Sequence, residues 1–345
     1  MTDAPPTPSP ASTRRVGFAG LLESVLLLAS LATAVSWAGS WYWLCELASH
    51  FRVQLTVVFG VLLLLHLVVQ RRRLALTLCV VGLVANAGPV LWATRPTGRL
   101  PNPHDARLRV LSVNVHTANQ DFAKVRTAIE TSEPDLLVLQ EVDDRWMAEL
   151  APLERLFPHR LDQPREDNFG LAVWSRYSFQ NSEILEFAGV EVPALAVSLT
   201  VAGTPLRVLA VHLLPPGDAE YADARNRQLR AVAEWTQTQQ GPLVVVGDFN
   251  ATPWSPFFQD FLRYSRVGLG AAAWSLNPTW PAGGVGTVLL RIPLDHCLVS
   301  PDLAVLARQV GPDIGSDHFP LQTDLAIPSV ADGATRDGAT SVNSR

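Results

Sequence analysis

A chain of 345 residues, 48% of them hydrophobic and only 17% charged, accommodates one domain of about 200 to 250 residues plus a further, apolar element. The net charge is −5, and from residue 101 onward 19 Lys plus Arg stand against 29 Asp plus Glu, with Lys124 the single lysine. That balance lacks the cationic footprint of tight, sequence-independent duplex DNA binding and weighs against a nuclease, although divalent cations would offset part of the repulsion.

Residues 1–15 are rich in Pro, Ser and Thr and are expected to be a disordered tail. The apolar excess lies in 16–94, as runs over 18–37, 53–69 and 74–92, each near the ~20 residues that cross a bilayer core. Only Glu23 and His66 interrupt them, Glu23 close enough to one end to reach the interface. The length of the first run and the two runs after it argue against a cleaved signal peptide. Arg14, Arg15 and Arg71 to Arg73 fall on one side and Arg52, Arg95 and Arg99 on the other. The larger group marks the cytoplasmic side, which puts everything after about residue 95 outside it. The prolines at 96, 101 and 103 make 95–105 a short stiff linker.

Strand and helix signals then alternate through 106–327. Strands are expected at 108–115, 136–139, 170–174, 178–187, 194–201, 206–212, 243–246, 293–300 and 319–325, and helices at 122–131, 145–156 and 222–238, with another beginning at 253–262. Several strands follow one another without a helix, which argues for two sheets packed face to face rather than a doubly wound sheet. The Gly, Ala and Ser-rich stretch 328–345 is expected to be a second disordered tail. Cys45 lies beside an apolar run and Cys79 within one, so no disulfide framework can form in the domain, and Cys297 reads as a small core side chain.

Polar residues recur where apolar strands end: Ser112-Val113-Asn114-Val115-His116, Leu139-Gln140-Glu141, Val211-His212-Leu213, Gly247-Asp248-Phe249-Asn250, Leu294-Asp295-His296 and Gly315-Ser316-Asp317-His318. In this order they resemble the endonuclease/exonuclease/phosphatase superfamily, the metal-dependent phosphodiesterases that include DNase I-like nucleases, apurinic endonucleases, sphingomyelinases and inositol polyphosphate phosphatases. The resemblance covers roughly 106–327. It implies an α/β (α+β) fold, the four-layer α-β-β-α sandwich of the DNase I-like type, here preceded by three transmembrane helices.

The resemblance also implies roles. Glu141 matches the principal metal ligand, with Asn114 supporting the metal site or a phosphate oxygen and Asp317 placed with the cation, Mg²⁺ or alternatively Mn²⁺. His318 matches the histidine that activates water, Asp295 the carboxylate that fixes its tautomer, and His212 a donor to a phosphate oxygen. Asp248 and Asn250, two residues apart, match the pair that aligns the nucleophile and hydrogen-bonds the phosphate. Some members carry an aspartate where this chain has His116, which leaves the makeup of the metal shell open. The usual partner of His212 could be Asn168 or Glu166, and Arg176 and Tyr177 read as turn residues.

Trp254, Trp274 and Trp280 fall in loops where an indole can stack on substrate or fill loop core, and Gly283-Gly284-Val285-Gly286 suggests a mobile rim rather than a phosphate cradle. The expected function is a membrane-anchored, multi-pass phosphoesterase acting outside the cytoplasm on nucleic acid, a phospholipid head group or a small phosphodiester. The alternative is a catalytically silent domain that binds or senses a ligand on the same scaffold. The sequence names no protein partner, oligomeric state or cleavage mode.

Overall fold

The computed structural model describes residues 17–69, 71–270 and 276–329. The expected N-terminal tail, Arg14, Arg15, Trp274 and the C-terminal tail from residue 330 lie outside the described residues. The N-terminal part holds helices α1 (Phe18–Trp37), α2 (Trp43–Ser49), α3 (Arg52–Val69) and α4 (Arg73–Ala93). Of these, α1, α3 and α4 are long and apolar enough to cross a membrane, by length and composition. Leu22 and Leu26 of α1, Phe59 and Leu62 of α3 and Ala75 and Cys79 of α4 form a common core. Gly82 is needed there, since a Cβ at that position would lie 2.3 Å from the Phe59 ring. At one end of the bundle Arg52 donates to Ser36 O and Ala85 O, joining all three helices, while at the other Glu23 pairs with Arg72.

The rest alternates as β1 (Ala106–Asn114), α5 (Phe122–Ser132), β2 (Leu136–Gln140), α6 (Asp144–Leu150) with a 3-10 turn over Ala151–Leu156, β3 (His159–Gln163), β4 (Leu171–Ser175), β5 (Phe179–Glu186), β6 (Pro193–Val201), β7 (Thr204–His212), α7 (Ala219–Thr238), β8 (Leu243–Asp248), α8 (Pro256–Tyr264), a second 3-10 turn over Val285–Leu290, β9 (Asp295–Val299), β10 (Ala304–Val310) and β11 (Leu321–Ile327). One sheet has the order β10-β11-β1-β2-β4-β3 and the other β5-β6-β7-β8-β9.

The period-two alternation of side chains across a strand builds the layers. Leu136 and Val138 of β2 meet Val244 and Val246 of β8 in the core between the sheets. Their neighbours Leu137 and Leu139 face α5 and α6, and Leu243 and Val245 face α7 and α8. The result is the four-layer α-β-β-α sandwich. Cys297 is buried in the inter-sheet core, as its strand position implies.

Two expectations needed correction. The helix expected over 145–156 stops at Leu150, because Pro152 in the next turn has no N–H to continue the α-helical ladder. Strands β3 and β10 were not anticipated. Both are sheet edges, half solvated; β3, His159-Arg160-Leu161-Asp162-Gln163, is too polar to show the alternation, and β10 is mostly apolar without alternating.

Candidate active site

The central strands deliver their C-terminal residues to one end of the sandwich. β1 ends at Asn114, β2 at Gln140 with Glu141 next, β7 at His212 and β8 at Asp248, while Asp295 opens the antiparallel neighbour β9, opposite Asp248 in register. Close strand approach is required here: Gly247 has φ 140°, and a Cβ on it would lie 1.9 Å from Val211 O. Just beyond the strand ends, His116, Glu141, Asn168 and Asn250 all adopt positive φ, between 48° and 66°. Left-handed backbone at four non-glycine residues costs energy and is characteristic of functional sites.

Asp248 is the hub. Its Oδ1 accepts from the Asn250 backbone N at 2.8 Å, and its Oδ2 lies 3.3 Å from Asn114 Nδ2, 3.6 Å from His318 Nε2 and 3.8 Å from His212 Nε2. Burial, assisted by Asp295 and Glu141, pushes the Asp248 carboxyl well above its usual range, against the lowering influence of His318. His318 Nδ1 bonds Asp295 Oδ2 at 2.8 Å. Burial opposes charge on this imidazole, but Asp295 and Asp248 outweigh it and raise its pKa. The last motif is tied to the first: Ser316 Oγ donates to Asn114 O and accepts from the His318 backbone N.

Asn114 Nδ2 also donates to Glu141 Oε1 at 2.9 Å, whereas its Oδ1 accepts from the His116 backbone N. Asn114 therefore serves as a donor that holds two carboxylates, while its oxygen accepts from the turn at His116. Glu141 Oε2 accepts from Thr117 N. Asp317 is half-exposed, accepts from Trp280 Nε1 at 3.2 Å, and lies 3.6 Å from His116 Nδ1. His116 thus neighbours a carboxylate.

His212 is held neutral by burial, which lowers its pKa. Its Nδ1 has no hydrogen-bond partner, so neither Asn168 nor Glu166 orients it. The Phe169 ring packs on it instead, 5.2 Å between centroids. Asn250 commits one amide hydrogen to Leu213 O. Arg176 and Tyr177 shape a turn through Asp135 O and Ser175 Oγ. His296 points away from Asp295, bonding Ala251 O and packing on Phe258.

Glu141, His212, Asp248, Asn250, Asp317 and His318 line a cleft of about 670 Å³ that also includes Asp167, Asn168, Phe169, Tyr221, Trp280 and Ile292. Sequence reasoning missed one wall entirely: Leu47, His50 and Phe51, from α2 and the turn before α3, line the same cavity. No local signal pairs α2 with a loop 200 residues downstream. Trp254 proves to be loop core, its Nε1 donating to His50 O, while Trp280 alone of the described loop tryptophans borders the cleft.

Four carboxylates, Glu141, Asp167, Asp248 and Asp317, line the cleft, and among the described residues its lining contains neither lysine nor arginine. Asp248, Asp295 and His318 each offer a ligand atom within 4.8 Å of the others. A hard divalent cation suits this oxygen-rich donor set, and an anionic ligand could approach the carboxylates only with such a countercharge.

The sequence model of the Endonuclease/Exonuclease/phosphatase family matches residues 111–318. No curated protein matches the chain. Among solved structures, an endonuclease/exonuclease/phosphatase from Beutenbergia cavernae is similar at 23% identity and TM-score 0.52, covering 64% of this chain and 72% of that one. TDP2 of D. rerio, complexed with single strand DNA product, is similar at 17% identity and TM-score 0.53 over 64% of this chain and 99% of that one. A functionally unknown conserved protein from Enterococcus faecalis gives 20% identity and TM-score 0.53 over 64% of this chain and all of that one. At these identities the likeness is one of fold.

Proposed function

Because the chain belongs to the Endonuclease/Exonuclease/phosphatase family, whose members hydrolyse phosphodiester bonds, we propose that it is a membrane-anchored, divalent-cation-dependent phosphodiesterase in which His318 activates the attacking water. The carrying observation is the His318–Asp295 pair at the floor of a cleft with four carboxylates and, among the described residues, no lysine or arginine in its lining. Residues 106–327 form the catalytic domain in this reading. Residues 16–94 are the anchor, 95–105 the linker, and the domain faces the extracytoplasmic side.

Glu141 and Asp317 would hold the cation, Mg²⁺ or Mn²⁺, with Asn114 fixing Glu141. Such an ion supplies positive charge to the phosphoryl oxygens as they gain negative charge. Asp295 accepts from His318 Nδ1, leaving Nε2 as the basic nitrogen. His318 Nε2 takes a proton from water as the water oxygen bonds to phosphorus, one P–O ester bond breaks, and the leaving oxygen acquires a proton. The products are a phosphomonoester and an alcohol. Asp248 and Asn250 orient the water and phosphate, and neutral His212 donates to a phosphoryl oxygen. The substrate is a nucleic acid, a phospholipid or a small phosphodiester.

The test uses the full chain in detergent with Mg²⁺ and bis(p-nitrophenyl) phosphate. His318→Ala and Asp248→Ala should each lower turnover by about 10³-fold with thermal unfolding unchanged. Undiminished turnover in both variants would refute the assignment. Calorimetric titration with Mg²⁺ separates it from a silent binding domain, which need not bind the ion.

A further inference from the structure

Residues 280–292 form one rim of the cleft as a loop with two different ends. Its base faces inward: Trp280 and Ile292 line the cavity and bond each other's backbones, Trp280 N to Ile292 O at 3.0 Å and Ile292 N to Trp280 O at 2.6 Å. Its tip faces outward. The turn Val285–Leu290 buries no residue, Val285 and Leu289 are 90% and 80% exposed, and Val288 and Leu290 are more than half exposed. Four apolar side chains held together in water need an apolar neighbour.

The position of the turn says which neighbour. Gln54 Nε2, in the first turn of α3, donates to Arg291 O at 3.0 Å. From Gln54, steps of three and four residues along the helix lead to Val57, Val61, Leu64 and Val68, all exposed on the outer face of the bundle. The turn is therefore stationed over the lipid-facing stripe of a span and not over the bundle interior. Trp41 and Tyr42, between α1 and α2, and Leu44 in the first turn of α2 are exposed at the same end of the bundle, and aromatic residues gather at the head-group level of membranes. The wall of the cleft formed by Leu47, His50 and Phe51 follows directly from them.

We infer that the turn Val285–Leu290 inserts into the bilayer surface and that the cleft takes the phosphodiester of a membrane lipid, whose acyl chains stay in the bilayer. The substrate half of this inference rests on the phosphodiesterase reading and on the spans. Charge favours a lipid over a polynucleotide. A strand of nucleic acid needs cations along a groove, whereas this cleft is lined by carboxylates and the chain from residue 101 carries a net charge of −10. One phosphodiester requires countercharge at one point. A space of about 670 Å³ accommodates a head group and the first carbons behind it.

Two measurements on the full chain in phosphatidylcholine and phosphatidylglycerol vesicles test it. In the first, Leu289→Cys on a Cys45→Ser background carries an environment-sensitive fluorophore. Insertion predicts quenching by nitroxides on the acyl chains and protection from aqueous iodide, with no need for activity. Quenching by iodide alone overturns the insertion. In the second, Val285→Glu together with Leu289→Glu should lower Mg²⁺-dependent hydrolysis of vesicle lipid at least about tenfold. Hydrolysis of bis(p-nitrophenyl) phosphate should stay within about twofold, since neither residue reaches the cleft. If the wild type cuts single-stranded DNA or the soluble ester but no vesicle lipid, the lipid substrate is overturned and the phosphodiesterase reading stands. If it cuts none of the three, that reading falls, and the fluorophore alone decides insertion.

Discussion

Glu46 and Arg225 form an ion pair in which neither side chain is exposed, joining the short helix α2 between α1 and α3 to helix α7 of the sandwich. Arg225 continues into the site, donating through Nη1 to Asn250 O at 2.6 Å. Burial raises the Glu46 pKa despite the lowering influence of Arg225, and burial lowers that of Arg225. Removing one partner of such a pair leaves an uncompensated buried charge, which costs about 3–5 kcal/mol. Glu46→Ala should destabilise the full chain by that amount in detergent unfolding, and Glu46→Leu combined with Arg225→Met should recover most of it. A loss below about 1 kcal/mol would mean that the pair does not fasten the domain.

Asp295→Asn replaces the acceptor of His318 Nδ1 with a group that does not stabilise an imidazolium. Turnover should fall about 10²–10⁴-fold with little change in KM. The pH profile should also shift its acidic limb downward, because Asp295 is the largest influence raising the His318 pKa. An unchanged profile would separate the two residues functionally.

Asn114→Ala removes the donor shared by Glu141 and Asp248. By analogy with residues that orient metal ligands, the apparent Mg²⁺ affinity should drop about 10–100-fold, while saturating Mg²⁺ restores most of the rate. Chelation should abolish wild-type turnover. A variant that titrates like the wild type would argue that Glu141 needs no such support.

His50 forms part of the cleft wall, with Nδ1 3.0 Å from Thr252 Oγ1. Burial and then Arg225 lower its pKa to about 3, from 6.5. Between those values the unfolded chain binds the proton and the folded chain does not, so stability contributed by neutral His50 is complete above pH 6.5 and is lost as pH falls towards 3. The slope is about 1.4 kcal/mol per pH unit at most. His50→Gln should unfold with a shallower dependence on pH between 6 and 4, measured by thermal unfolding.

The polar residues of the site were legible because each stands at the end of a strand too apolar to be anything but buried, as Asp248 does after Leu243 to Val246. Their convergence follows from parallel neighbours such as β7 and β8, whose ends fall together in register. What the sequence hid was governed by contacts rather than by pattern. Strands β3 and β10 bury too little to show alternation. The contribution of His50 depends on docking across 202 residues, and the setting of His212 depends on an aromatic ring where a hydrogen-bonding partner was expected. Asn114 was found by its position, but which of its amide atoms faces the carboxylates is decided by the turn at His116.

The docking of the domain has a kinetic corollary. Glu46, His50 and Gln54 bond to it on one side of the bundle, and Gln259 reaches Pro89 O on another, so the enzyme has no leash on which to swing. Its reach is fixed, and a substrate must be delivered to it. If that substrate diffuses in the plane of the membrane, encounter becomes a two-dimensional search whose frequency follows the mole fraction of the lipid in the leaflet, and dilution of the vesicles in buffer leaves the rate per enzyme unaltered.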